Sequence, residues 1–452
     1  SVAALDIIAG EKERGTLETL LTTAAGRTEI VLSKQIAISS VALAITLIQA
    51  LNFFVYIKLK VIKLPAEFSL QLSSGMALTL LALFIPLAVT IGSVLLILSA
   101  YAKSYKEASL YFFPVHLLSL LASLAALLPG ISLRSAIAIV PIANVSIAAR
   151  EILVGRPDFP MILVTFLVML FSAAWLLRTA SRMLSREDII LPSHAEPAEF
   201  TGGVALFGKR VLRWFALMWA IQFTAAASMT EPPSLQRQII FNEIVLMVGA
   251  SILMIRLYKL NLRDTLSLRS VKPIVWLAIL CAIPTANAAA LAVFRLMNVF
   301  IPVSEELIRT SSESLIPPGM PHWQLFIYVA VLPAICEEIA FRGMLLTGLR
   351  RRLRPVTLVI AVGLIFGLFH MTLFRIAPTA ALGIVLTAIA LMTGSIFPGM
   401  LLHMGNNAWA VWAGLHDFDP DNMNIWQSTA LITIFALSMW IIYRNRVKPE
   451  MT

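Results

Sequence analysis

The stretch Pro333-Ala-Ile-Cys-Glu-Glu-Ile-Ala-Phe-Arg342 places two carboxylates and a guanidinium inside a run otherwise apolar enough for a membrane helix. Two similar intrusions follow, Phe366-Gly-Leu-Phe-His370 and His403-Met-Gly-Asn-Asn407. Ionisable groups in hydrocarbon are costly, so a set held there marks a reaction or a transported species. The surrounding chain supports that setting. Its 452 residues are 59% hydrophobic and 13% charged, with a mean hydropathy of +0.86. Soluble domains carry about 25% charge. The expected fold is therefore all-α, a polytopic membrane protein.

Apolar spans lie near 34–57, 75–101, 108–129 and 159–180. More follow near 207–229, 238–257, 273–300, 323–348, 356–375, 377–396, 398–415 and 427–443. Each is about long enough to cross a bilayer as a helix, which predicts about twelve transmembrane helices in two bundles. Residues 131–157, with Pro141, Asn144 and Arg150, are mixed and read as a re-entrant or interfacial piece. Residues 183–206 are polar and contain Pro192, His194, Pro197 and Gly202-Gly203. That composition predicts a linker between a first domain, 1–182, and a second, 207–452.

The net charge of +10 does not form a basic domain, so nucleic acid is not an expected partner. If residues 1–28 are cytoplasmic, alternation puts Lys103/Lys106, Arg178–Lys209, Arg256–Lys272, Arg350–Arg354 and Arg444–Lys448 inside. This is the asymmetry that orients membrane proteins. Lys58, Lys60 and Lys63 are the exception. Membrane lipid is the expected surrounding. Cys281 and Cys336 both lie in apolar runs and imply no disulfide framework. The chain opens with Ser1 and has no cleavable signal, and an N-terminal stretch is expected to precede it.

Successive helical residues diverge by about 100°, so Glu337 and Glu338 are expected to face different spots. Glu338 and Arg342 are four apart and suited to pair, which makes their burial tolerable. Glu337 is left as the carboxylate without a local partner, and so as the general base. His370 follows the Arg350–Arg354 turn on a returning helix, at a depth comparable with Glu337, where the two can share one water. His403 and Asn407 share a face and supply donors for a developing oxyanion. His403 would nonetheless start a helix about 10 Å from the cytoplasmic side, shallower than Glu337 and His370. Together these parts permit water attack on an amide carbonyl of a hydrophobic or membrane-associated peptide, with no cofactor. A zinc-dependent membrane hydrolase is the lower alternative: Glu and His ligate zinc, but no H-E-x-x-H helix is present and the Asn407 amide is a poor ligand.

Glu337-Glu338-x-x-x-Arg342, Phe366-x-x-x-His370 and His403-x-x-x-Asn407, in this order on successive helices, resemble the three motifs of the CPBP family. That family comprises CAAX prenyl endopeptidases and bacteriocin-processing or "Abi" intramembrane proteases. The resemblance spans about 207–445 and implies a glutamate-dependent intramembrane endopeptidase in a cell membrane, a bacterial inner membrane. It implies that Glu337 and His370 activate water, that His403 and Asn407 form the oxyanion site, and that Glu338, Arg342 and Phe366 support them.

In the first half, Gly10-Glu-Lys-Glu-Arg-Gly-Thr-Leu-Glu-Thr-Leu-Leu21 followed by Arg27-Thr-Glu-Ile-Val-Leu-Ser-Lys34 reads as a charged amphipathic helix leading into a span. It could lie on the membrane or dock a soluble partner. It resembles the cytoplasmic coupling helix of type-2 ABC transporter permeases of the sodium-exporter-like branch. Leu128-Pro-Gly-Ile-Ser-Leu133, Val140-Pro-Ile-Ala-Asn-Val145 and Ala149-Arg-Glu-Ile-Leu153 resemble later parts of the same family. The resemblance spans about 1–182 and implies that Glu11, Lys12, Glu13 and Arg14 contact a separate ATPase. It also implies a membrane helix and an extracellular segment before Ser1. No G-x-x-x-x-G-K-[ST] loop occurs, so ATP is bound elsewhere. The competing reading is a permease subunit whose second half is a non-catalytic scaffold. Glu243, with Asn242 beside it, reads as a structural, hydrogen-bonded carboxyl ahead of one lining an ion path, and Glu305, Glu306 and Arg309 as a solvated external loop ahead of one covering the active cavity.

Overall fold

The structure, a computed structural model, describes residues 2–59, 73–102, 104–127, 131–184, 203–228, 234–317, 319–416 and 425–447. Among these every regular element is helical and none is a strand. Among the described residues eight helices are long and apolar enough to cross a membrane, and Pro355–Leu368 and Thr429–Arg444 are shorter apolar helices. The chain is a multi-pass, all-α membrane protein. It divides into two compact units, Ser1–Pro197 and Ala198–Thr452. The expected linker, 183–206, falls mostly on 185–202, outside the described residues, as do Leu128–Gly130 of the permease-like string.

The first unit comprises α1 (Val2–Glu13), α2 (Thr16–Leu21), α3 (Arg27–Lys58), α4 (Ser74–Tyr101), α5 (Tyr105–Ser123), α6 (Ala143–Leu153) and α7 (Phe159–Leu184). Helix α4 is the hub, packed on α1, α3 and α7. The charged segment expected as one helix is two, because Gly15 adopts φ +73° and breaks it. Helix α1 is docked rather than solvated. Ile8 and Ala9 are fully buried, and the Ala9 N–H donates to Ser99 Oγ at 2.8 Å. Lys12 Nζ donates to the Ala100 carbonyl and, at 3.3 Å, to that of Ala102. An ammonium there caps carbonyls that the end of α4 leaves open. Burial holds the Lys12 ammonium below the usual lysine value.

Residues 131–157 fold back on themselves around α6. Arg150 donates to the carbonyls of Ala126, at 3.0 Å, and Ile131, while Glu151 Oε1 accepts from the Leu133 N–H at 3.1 Å. A cavity of about 780 Å³ opens between α4 and α5, lined by Thr90, Leu95, Tyr105, Phe112, His116 and Ser119 among others.

The second unit comprises α8 (Gly203–Ser228), α9 (Leu235–Leu257), α10 (Pro273–Phe300), α11 (Glu305–Leu315), α12 (His322–Leu349), α13 (Pro355–Leu368), α14 (Leu373–Thr393), α15 (Phe397–Leu415) and α16 (Ile425–Arg444). Helices α8 and α15 cover two expected spans but are not among the eight apolar ones. Lys209, Arg210 and Arg213 in α8, and His403, Asn406 and Asn407 in α15, dilute their apolar character. The span expected at 356–375 is cut short. Helix α13 ends at Leu368, and Met371 takes φ +58° before α14 begins. Glu305, Glu306 and Arg309 lie on the short helix α11, capped by Ser304, rather than in a loop.

Among the described residues three stretches are π-helical: Ile240–Val248 in α9, and Phe326–Val331 and Ile339–Leu345 in α12. Such stretches widen a helix and occur often at functional sites. Helices α13 and α14 approach closely because Gly383 has no side chain. A β-carbon there would stand 2.8 Å from the Phe366 ring and 3.0 Å from Gly363 Cα.

Candidate active site

The site begins with one buried pair. Arg342 Nη1 lies 2.8 Å from Glu338 Oε1, and both side chains are 0% exposed. Arg342 Nη2 donates to the Gly383 carbonyl at 3.0 Å, so the close approach of α14 supplies an acceptor as well as space. The guanidinium also sits over the Phe366 ring, 4.4 Å from its centroid. A cation so placed gains from the ring's negative face where water is excluded. Phe366 in turn meets three other rings: Phe341 at 5.1 Å, His370 at 5.2 Å and His403 at 5.7 Å. One phenyl ring thus joins residues from α12, the α13 end and α15.

His403 stands between the two glutamates. Its Nδ1 is 3.1 Å from Glu338 Oε1 and its Nε2 is 3.8 Å from Glu337 Oε2. The expectation that Glu337 and Glu338 face separate spots is corrected here. An imidazole carries a nitrogen on each edge, so two diverging side chains reach the same ring from opposite sides. His403 is also level with both carboxylates, which removes the depth mismatch expected from hydropathy. Glu338 is already paired with Arg342, so the Nδ1 beside it is the nitrogen that carries hydrogen, and Nε2 is left towards Glu337.

His370 lies in the turn after α13. Its Nδ1 is 3.2 Å from the Phe366 carbonyl, which can only accept, so Nδ1 donates and Nε2 remains an acceptor. The turn is held from α8: Trp219 Nε1 donates to the Leu368 carbonyl at 3.0 Å, and Gln222 Nε2 to that of Phe369 at 3.1 Å. Those contacts occupy carbonyls that a helix end leaves open. Asn407 Nδ2 donates to the Val329 carbonyl at 3.2 Å, in one of the π-helical stretches. Asn406 Nδ2 lies 3.4 Å from Asn407 Oδ1, and its own Oδ1 is buried without a partner among the described residues.

Four participants escape the sequence reading. Trp219 and Gln222 act through long-range contacts, and Asn406 through its neighbour Asn407. Arg375 of α14 lies within electrostatic reach of both Glu337 and His370. An arginine and a glutamine inside apolar runs were the available signals. Glu11, Lys12 and Glu13, read as a partner-facing surface, also make contacts within their own unit. Glu11 Oε2 is 2.7 Å from Lys34 Nζ, and Glu13 Oε2 accepts from the Tyr105 N–H at 3.1 Å. Arg14 is exposed. Among the described residues no group of three or more His, Cys, Asp or Glu is arranged to hold a metal ion.

Residues 319–409 match the family model described as type II CAAX prenyl endopeptidase Rce1-like, and the Glu337–Arg342, Phe366–His370 and His403–Asn407 segments all lie within that match. Residues 1–177 match the model of the ABC-2 family transporter proteins. No curated protein and no solved structure matches the chain. In one polypeptide the chain thus joins a segment similar to the ABC-2 family transporter proteins and a segment similar to the Rce1-like type II CAAX prenyl endopeptidases.

Proposed function

We propose that the second unit is a glutamate-dependent intramembrane endopeptidase acting on a hydrophobic or membrane-associated peptide without a cofactor. The observation that carries this reading is the single imidazole of His403 set between Glu337 and the Glu338–Arg342 pair, with His370 across the same phenyl ring. Glu337 takes a proton from water as the water oxygen adds to the scissile carbonyl. His370, its Nδ1 committed to Phe366, offers Nε2 to orient that water. The carbonyl oxygen gains charge and is met by the Asn407 amide and by His403. For His403 this requires a proton on Nε2, and Glu337 beside it holds the one taken from water. Collapse of the tetrahedral intermediate breaks the C–N bond and passes the proton to the leaving amine. The roles resemble other general-base hydrolyses in which donors wait where charge develops.

The test is cleavage of internally quenched membrane peptides by the full chain in proteoliposomes. Cleavage that persists with a chelator and disappears in Glu337→Ala and His370→Ala supports the reading. Cleavage unchanged in both variants overturns it, and loss with the chelator favours the zinc alternative.

We infer that the first unit works with a separate ATPase, on the strength of its ABC-2 match and the missing phosphate-loop motif. With Glu11 and Lys12 turned inward, the exposed residues Glu13, Arg14, Thr16, Thr19 and Thr22–Ala25 are the surface offered. Co-purification of a nucleotide-binding subunit, lost in Arg14→Glu/Thr19→Glu, is the expected result. Recovery of no such subunit leaves the first unit a structural role only.

A further inference from the structure

Glu243 has no part in the reaction above, yet its surroundings are those of a working acid. It lies in the π-helical stretch of α9, which packs on α12, and is 7% exposed. Its Oε2 is buried with no hydrogen-bond partner among the described residues, and so is Glu337 Oε2. The expected structural, hydrogen-bonded role is therefore not what this oxygen displays. Glu243 is close enough to Glu337 for their charges to interact, and the Cys336 thiol feels both carboxyls. No described cation pairs with it.

Charge balance then decides its state. Three carboxyls, Glu243, Glu337 and Glu338, share a buried neighbourhood with two guanidiniums. Arg342 is bound to Glu338, and Arg375 lies within reach of Glu337. Ionising all three leaves one anion without a counterion in a site built largely of apolar side chains, which hydrocarbon surroundings oppose. Glu243 is the carboxyl without a cation. Protonating it leaves two carboxylates against the two guanidiniums.

We propose that Glu243 is a neutral carboxylic acid kept beside Glu337, a positioning residue that leaves Glu337 as the one free carboxylate of the site. This rests on the reading of Glu337 as the base. A carboxylic acid held neutral by an apolar site is an established device for supplying a hydrogen bond where charge must stay localised. A protonated Glu243 has an O–H to donate, and Glu337 Oε2 is buried without a hydrogen-bond partner among the described residues. No proton is consumed, because Glu243 keeps its own while Glu337 receives and returns the proton of water.

The experiment is infrared spectroscopy of the full chain in proteoliposomes at neutral pH, following the carbonyl stretch of protonated carboxylic acids. The parent protein is expected to show such a band, Glu243→Gln to lack it, and Glu337→Gln to shift its position because the adjacent charge has gone. Absence of the band in the parent, its survival in Glu243→Gln, or an unmoved band in Glu337→Gln overturns the proposal. A merely space-filling glutamate would not respond to Glu337. Peptide cleavage on the same samples separates the two readings. Glu243→Gln, which reproduces the neutral state, is expected to cleave within a few-fold of the parent, and loss of cleavage there would show that a charged carboxylate is needed at 243. If Glu337→Gln still cleaves, the base assignment falls while the spectroscopic result stands on its own.

Discussion

Charged side chains do opposite things in helix α1 and in the Glu338–Arg342 neighbourhood. In α1 they act at helix ends near the surface. Lys12 closes the carbonyls of α4, Glu11 meets Lys34, and Glu13 caps the start of α5. Each contact is a latch between neighbouring elements, and removal of one leaves its partner within reach of water. In the second unit Glu338 and Arg342 are fully enclosed, and each is held by a further element, α15 for the carboxylate and α14 for the guanidinium. Removal of one partner there strands a charge. The lesson is that enclosure, not the presence of ion pairs, separates a fastening from the candidate active site.

The hardest test of this contrast is catalytic. Glu337→Ala and His370→Ala are each expected to cut peptide cleavage by about 10²–10⁴-fold, measured as kcat/KM with folding checked by thermal unfolding. No comparable loss is expected from Lys12→Met. Next in size is stability. Arg342→Met leaves Glu338 buried beside only an imidazole and should cost about 3–5 kcal/mol. A second change, Glu338→Gln, should recover part of that loss, and a double variant no better than the single would show that the pair is not the source. A smaller effect is expected from Phe366→Leu, about 2 kcal/mol, because the guanidinium loses its ring while the volume is largely kept. Its kcat should fall more than its KM changes, since both imidazoles lean on that ring. The smallest effect belongs to the latch. A double-mutant cycle on Glu11→Gln and Lys34→Met should give a coupling below about 1 kcal/mol. A coupling as large as that of Glu338 and Arg342 would erase the distinction between the two regions.

Much of the architecture is legible in the chain itself, because long apolar runs admit few alternatives in a bilayer. The Glu338–Arg342 contact is legible for a local reason: positions four apart on a helix are neighbours whatever the tertiary fold. The meeting of Glu337 and Glu338 on one imidazole is not. It depends on where α15 places His403, which no spacing within α12 reports. Trp219 and Gln222 are hidden for the same reason, since their partners are carbonyls about 150 positions away. The break in the charged N-terminal helix was readable in principle from Gly15, but a glycine in a helical pattern is a weak signal until its backbone is seen in the left-handed region. Helix α13 ends early where α8 takes over its carbonyls, a tertiary event that hydropathy averages away.

The seat of His403 also limits what point substitutions can teach. One ring touches both acids, so its loss changes the orientation of one and the company of the other simultaneously. Penalties measured one residue at a time around it will overlap, and their total will exceed what the assembly contributes. Apportioning roles there calls for paired replacements compared in closed cycles, with the imidazole as the common corner.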